Sequence, residues 1–194
     1  SNLGVDGAFA DVNLSLRQGE ILGITGLLGS GRTELALSLF GALPSDTGEI
    51  RVEGKPVKLD SVRTAIAHGI GYVPEDRLTE GLFLERSIGS NIVISEIDSF
   101  VSKFGVLDQA KADAEAARWV KDLRIATPDP ENAVNTLSGG NQQRIVLAKW
   151  LATKPKVLIL NGPTVGVDIG SKHDIHRILR ELAAEAPAGT TTSD

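Results

Sequence analysis

The spacing of apolar and polar positions changes several times along the chain, and each change marks an element. Val12, Leu14 and Leu16 alternate with polar residues, and the apolar run Ile21-Leu22-Gly23-Ile24-Thr25 follows the turn residues Gln18-Gly19-Glu20. Alternation with a period of two buries one face of a pleated strand, so residues 11–25 predict two strands around a turn. Past a glycine-rich loop, Leu35, Leu39 and Phe40 fall on one face of a helix. Pro44-Ser45-Asp46-Thr47-Gly48 is a turn cluster, residues 49–52 a short strand, and Gly54-Lys55 closes it. Asp60-Ser61 opens a helix carrying Val62, Ala65 and Ile66, and Gly69 stops it.

Ile70-Gly71-Tyr72-Val73 and Val157-Leu158-Ile159-Leu160 are short continuous apolar runs, which predict buried strands of a parallel sheet. From about residue 87 to 135 the spacing turns helical, with Leu107, Ala110, Ala114, Ala117 and Val120 as the apolar face. This stretch reads as a helical lobe inserted in an α/β core, left through the loop Ala126-Thr127-Pro128-Asp129-Pro130. A helix holding Ile145, Leu147, Ala148 and Leu151 follows, with Ser138 as its expected cap. The last helix starts near Ser171 and buries Ile175, Ile178, Leu179 and Leu182, and residues 186–194 predict no element.

Composition narrows the class. The chain has 194 residues, of which 20 are basic and 25 acidic, a net charge of −5. One globular domain, in one or two lobes, fits that length. The acidic balance argues against non-specific nucleic-acid binding. No apolar run approaches the ~20 residues of a membrane span, and no signal peptide is visible. Cys is absent, so thiol chemistry and disulfides are excluded. Met is absent too, even at the first position, which predicts a fragment of a longer polypeptide, with Ser1-Asn2 as an expression scar.

The chemistry concentrates in two glycine-bearing stretches. Gly26-Leu27-Leu28-Gly29-Ser30-Gly31-Arg32-Thr33-Glu34 lies between an apolar run and a helix, the context of a phosphate-binding loop. Glycines let successive backbone N–H groups curl around an anion, and the helix start adds a positive dipole end. Thr33 stands where the loop hydroxyl would hold Mg²⁺. Arg32 stands where that motif has Lys; it keeps the charge but is bulkier and forked. A plain glycine turn fits the same residues. The second stretch, Leu137-Ser138-Gly139-Gly140-Asn141-Gln142-Gln143, again aims backbone N–H groups outward from a helix start, and locally it also fits an ordinary capped helix. Pro74-Glu75-Asp76-Arg77 leaves the end of a buried strand, where open α/β sheets bind ligands, though a solvated loop fits as well. His173 and His176 lie off the buried stripe of the last helix with no companion ligands.

Taken together, these stretches resemble the ATP-binding domain of ABC transporters over nearly the whole chain. Residues 137–143 resemble that family's signature motif, and residues 157–164 its Walker B strand and continuation. Asp168 matches the D-loop, and Glu75 occupies the Q-loop position. The loop ending in Arg32-Thr33-Glu34, Tyr72-Val73-Pro74-Glu75-Asp76-Arg77 and the Asn141-Gln142-Gln143 ending are similar to the second half of duplicated ATPase subunits of bacterial ribose, galactose and xylose importers. The resemblance implies a P-loop NTPase core with a mostly parallel central sheet, an N-terminal antiparallel portion and an inserted α-helical lobe. It implies one nucleotide-binding domain over residues 1–194, with the helical lobe at about 87–135. It implies ATP and Mg²⁺ as cofactors, a second nucleotide-binding domain and permease subunits as partners, and no nucleic acid or direct sugar binding. Residues around 75–100 would face the permease. The implied location is peripheral, at the cytoplasmic face of the bacterial inner membrane.

The departures from the family pattern shape the functional expectation. The family's Walker B ends in Asp-Glu, and here those positions are Asn161 and Gly162. Asn keeps an oxygen without the charge; Gly leaves no general base. A positioned base contributes about 10²–10⁴ in rate. Glu75 replaces the usual Gln, which places a second negative group near triphosphate unless Mg²⁺ or Arg77 offsets it. The switch-loop His and the adenine-stacking aromatic have no identifiable counterpart. The expectation is a domain that lends an intact signature to a partner's site while its own site hydrolyses weakly or not at all. The alternative is a non-enzymatic ATP-binding dimerisation module.

Overall fold

The structure, a computed structural model, describes residues 1–185; the tail on which the sequence predicts no element lies outside them. The described residues form two compact units, residues 69–172 and residues 1–68 together with 173–185. In the latter, β1 (Leu3–Val5) pairs antiparallel with β2 (Phe9–Val12). Helix α1 (Arg32–Leu39) buries Leu35, with Phe40 buried just past its end. The hairpin β3 (Ile50–Val52) and β4 (Lys55–Val57) turns through Glu53 and Gly54, both left-handed at φ 52° and 75°. Two positive-φ residues give the tight turn that matches strand twist. The sequence expectation ended the strand at Gly54-Lys55 and missed β4. Helix α2 (Val62–Ala67) starts as expected: the Ser61 side chain accepts from the Thr64 amide at 3.2 Å.

The two strands expected over residues 11–25 are not there. Only β2 reaches this stretch, and residues 13–25 join no ladder. The turn itself forms, with Glu20 N–H donating to Arg17 O at 3.1 Å. Alternation specifies which side chains share a face but not which strand lies alongside. Without such a partner the run stays out of the core, and Ile21 is 61 % exposed.

In the second unit β5 (Ile70–Val73) and β6 (Val157–Leu160) form the expected parallel pair, in register from Ile70 opposite Val157 to Val73 opposite Leu160. A single π-helical turn, Arg77–Gly81, follows β5 and was not expected. The helical lobe holds α3 (Ile88–Val93), a 3₁₀ segment (Ile94–Phe100) and α4 (Gln109–Asp122). Helix α5 (Gly139–Leu151) runs through the middle, with Ile145, Val146, Leu147 and Ala148 wholly buried. Helix α6 (Ile169–Glu185) begins two residues before the predicted start; residues 169–172 belong to this unit and the rest, with the buried Ile175, to the other.

The buried face of α4 differs from the expected one. Ala112, Ala116 and Trp119 are buried, continued by Leu123, while Ala110, Ala114 and Ala117 are exposed. Alanines on several faces offered more than one stripe, and the large ring of Trp119 decides between them because it removes most apolar area from water.

Candidate functional site

The glycine loop and the end of β6 belong to different units. In the loop, Ser30 N–H donates to Leu27 O at 3.1 Å, and Gly29 and Gly31 are left-handed at φ 77° and 78°. A Cβ on Gly26 would stand 2.4 Å from Ser30 Oγ, so a side chain there would turn that hydroxyl away, and 3.1 Å from Ser30 Cβ. A Cβ on Gly31 would stand 2.6 Å from the Ala8 carbonyl oxygen. Gly31 caps α1 through its carbonyl, which accepts from Leu35 N–H at 2.8 Å. Leu27 and Leu28 are fully in solvent, and Arg32, Thr33 and Glu34 are half-buried on the first turn of α1. Arg32 has no hydrogen-bond or ion-pair partner among the described residues. Glycine backbone, helix start and an uncommitted guanidinium make a donor set that fits a phosphate.

The end of β6 is different chemistry. Asn161 is buried, and its Nδ2 donates to the Tyr72 hydroxyl at 3.3 Å. Burial pushes the Tyr72 hydroxyl above its usual range, and the Asn161 bond pulls the other way. The amide therefore finds a neutral partner where a carboxylate would be buried beside a phenol. Gly162 follows with φ 59°, and the space its Cβ would take is bordered by Val165 Cγ2 at 3.1 Å and Glu75 Cγ at 3.3 Å. These residues do not fit a metal held by strand-end carboxylates. Among the described residues no cluster of three or more His, Cys, Asp or Glu side chains is disposed to hold a metal ion. His173 and His176 are exposed, and Arg177, next to His176, pairs with Asp174 and Glu181.

The signature stretch is tied into the second unit by several hydrogen bonds. Ser138 takes the N-cap position in extended backbone, and its carbonyl accepts from Gln142 N–H at 2.9 Å. Its side chain does not cap the helix, contrary to expectation; Oγ instead accepts from Asn141 Nδ2 at 3.1 Å. Leu137 is half-buried and Gln143 fully buried. Gln142 is nearly buried and donates to Val134 O at 3.4 Å. Gly140 meets the start of α6: a Cβ there would stand 2.1 Å from Ser171 Oγ. Asp168 secures that start, accepting from the Ser171 amide at 2.9 Å and hydroxyl at 2.8 Å, and these bonds hold its carboxyl below the usual range.

Arg77, which no motif singled out as structural, ties these segments together. Its guanidinium donates to Val165 O at 3.0 Å, to Gly166 O at 3.2 Å and to Gln142 Oε1 at 3.4 Å. Four residues further on, Gly81 O accepts from Lys149 Nζ at 3.0 Å. Gln142 and Lys149 are seven apart on α5, so one face of that helix holds the turn Arg77–Gly81 at both ends. Burial lowers the Lys149 ammonium's affinity for its proton. Arg77 is thus turned to carbonyls and makes no ion pair with the exposed Glu75 among the described residues. The sequence signal for this role was a lone Arg after Glu75-Asp76, which reads equally as a solvated charge.

The family model described as ABC transporter matches residues 9–165. A Rhizobium etli protein named for ribose/galactose/methyl galactoside import ATP binding is 48% identical over 187 residues, covering 96% of this chain and 36% of its own length. A ribose import ATP-binding protein of Geobacillus kaustophilus is 42% identical over 182 residues, covering 94% of this chain and 37% of its own. The chain thus spans little more than a third of these relatives. Among solved structures, a nucleotide-free ATP-binding cassette from an ABC transporter superposes with a TM-score of 0.80 at 24% identity, covering 95% of this chain and 75% of that one. A dimeric cassette bound to ADP and Pi superposes at 0.77 with 23% identity, covering 92% of this chain and 75% of that one. The fold is accordingly that of an ATP-binding cassette, a P-loop NTPase with mixed α/β structure and a helical portion. On the match over residues 9–165, the chain belongs to the ABC transporter family.

Proposed function

We propose that this chain is the second nucleotide-binding half of a monosaccharide importer's ATPase subunit, and that it serves chiefly as a signature donor. ATP on a partner domain is completed by Ser138, Gly139, Gly140 and Gln142 of this one. The partner is the first half of the same subunit, and permease subunits dock on the pair at the cytoplasmic face of the bacterial inner membrane. Sugar is bound by other components of the importer, not by this domain. The carrying observation is the contrast within the second unit: an exposed Ser138 at the start of a firmly held α5, against Asn161 and Gly162 where hydrolysis needs carboxylates. Signature groups neutralise charge developing on the terminal phosphate, which is positioning plus electrostatics, the main source of phosphoryl-transfer catalysis. The chain's own glycine loop binds nucleotide through backbone N–H groups, Arg32 and, with Mg²⁺, the Thr33 hydroxyl, and holds it with little turnover.

The test compares ATP turnover by this chain alone with turnover by the assembled two-domain subunit. The expected outcome is negligible hydrolysis alone and brisk hydrolysis in the assembly, abolished by Gly139→Asp in this domain. Brisk hydrolysis by the chain alone, or a fully active Gly139→Asp assembly, would defeat the reading. Asn161 and Gly162 also favour a second reading, a non-enzymatic module in which bound ATP only fixes a dimer. It is distinguished by an assembly that dimerises with ATP yet never turns it over.

A further inference from the structure

We propose that Asn141 is a positioning residue that sets the direction of the Ser138 hydroxyl, so that its proton is presented outward to an oxyanion. The argument rests on which atoms can only donate. Ala126 N–H, a backbone amide, lies 2.9 Å from Asn141 Oδ1. A backbone N–H has no acceptor capacity, so the side-chain amide must turn its oxygen to Ala126 and its NH₂ to the other side. On that other side Asn141 Nδ2 lies 3.1 Å from Ser138 Oγ. An amide nitrogen donates only, so Ser138 Oγ is the acceptor. The single hydroxyl proton is thereby excluded from this contact. No amide of α5 takes the Ser138 oxygen as a cap either, and Ser138 is exposed. The hydroxyl is left as a donor toward solvent, beside Gly139 and Gly140, and its natural acceptor is an anionic oxygen of the phosphate class.

The Ala126 end of this relay is itself held. Arg144, one turn along α5, donates to Leu123 O at 3.2 Å and to Arg124 O at 2.7 Å. Arg124 is left-handed at φ 50°, and Leu123 and Ile125 on either side are buried. The chain leaving α4 is therefore pinned just before Ala126, and the polarity of Ser138 is fixed from the helical lobe before any ligand arrives. A donor oriented in advance needs no reorganisation when charge develops, which is what makes such groups effective.

The catalytic use of this polarity rests on the signature-donor reading; the polarity itself does not, and the experiment separates them. The first arm is NMR of the ¹⁵N-labelled chain. Ser138→Ala is expected to shift the Asn141 side-chain NH₂ resonances and speed their solvent exchange, while the Ala126 amide stays protected. Asn141→Asp is expected to keep the Ala126 amide protected, because a carboxylate still accepts from it. Asn141 resonances indifferent to Ser138→Ala, or an Ala126 amide that loses protection in Asn141→Asp, would overturn the polarity. The second arm is hydrolysis by the assembled subunit. In Asn141→Asp both carboxylate oxygens only accept, so the Ser138 proton turns inward and kcat falls, on the order of 10²-fold, the effect of losing one oriented donor. In a Ser138→Ala background the same change is expected to lower kcat at least tenfold less. Losses that simply multiply would overturn the positioning role. A Ser138→Ala assembly with undiminished kcat would sink the signature-donor reading, while the first arm still decides the polarity.

Discussion

At the scale of single residues, Gly162 carries two facts that point the same way. It supplies no carboxylate where the family pattern has one, and its backbone is left-handed at φ 59°. Its carbonyl accepts from Val165 N–H at 3.0 Å, closing a turn that carries the chain away from β6. A side chain there would meet Val165 Cγ2 at 3.1 Å. Gly162→Ala is expected to lower stability by about 1–2 kcal/mol, the usual penalty of an L-residue in left-handed backbone, read as a lower urea midpoint. Gly162→Glu is expected to lower it further, since the new carboxyl enters the space beside Glu75 Cγ, 3.3 Å from the Cβ position. Equal midpoints for wild type and Gly162→Ala would show that the turn does not need glycine. The sequence shows that position 162 carries no carboxylate. It did not tell that the backbone also favours glycine, because φ is set by how the turn folds back on Glu75 and Val165. Gly140 is the complementary case, where the residue is dictated by the close approach of Ser171 and not by φ.

Among the elements, α4 and the segment packed on it are where pattern and structure part. Trp119 is 9 % exposed, its Nε1 donates to Glu115 Oε1 at 2.9 Å, and the Arg118 guanidinium lies 4.5 Å from its ring centre. Trp119→Ala is expected to destabilise by about 3–5 kcal/mol. Ala114→Ser, on the face the spacing had favoured, is expected to change stability by no more than about 0.5 kcal/mol. Thermal melts of the two variants check this, and a costly Ala114→Ser with a mild Trp119→Ala would restore the original face. Nearby, Glu96 breaks the 3₁₀ segment with φ −123° and ψ 17°, and its Oε1 is buried without a hydrogen-bond partner among the described residues. Burial foremost, then Glu115, raises its carboxyl above the ordinary value of 4.5, against the opposing pull of Lys154 and Arg118. The folded state then binds more protons than the unfolded one just above that pH, so this carboxyl subtracts stability as pH rises through the window. Glu96→Gln is expected to be more stable than wild type at pH 7, with the gain fading as pH falls toward about 4.5 and absent below it. A gain that persists unchanged in acid would mean the carboxyl is not the cause. What the sequence specified well were elements with local grammar: Ser61 before α2, Gly69 after it, and the all-apolar β5 and β6. What it left open were choices made by neighbours, such as which alanine stripe faces inward or whether residues 21–25 find a ladder.

For the molecule as a whole, motif order carried the family, since a glycine loop, a signature and an apolar strand in sequence are independent signals that agree. The proposed division of labour rests on which motifs keep their chemistry. Residues 137–143 sit on a helix held by Arg77, Lys149 and Arg144, and a net charge of −5 leaves no general attraction for phosphate to replace such placed donors. The glycine loop keeps its backbone and an unpaired Arg32, while the strand end offers Asn161 turned to Tyr72. Substitutions made in this domain within the assembled subunit should therefore be unequal. Ser138→Ala is expected to lower kcat on the order of 10²-fold, because the group it removes acts on charge that develops in the transition state. Thr33→Ala is expected to lower kcat far less, because on the proposed function it touches a site that holds nucleotide without splitting it, and its main effect should fall on nucleotide retention. Steady-state hydrolysis, with retention measured separately by labelled nucleotide, distinguishes the two. If Thr33→Ala stops turnover while Ser138→Ala spares it, the working site is this domain's own, and the carboxylate it lacks at Asn161 and Gly162 must be supplied from elsewhere.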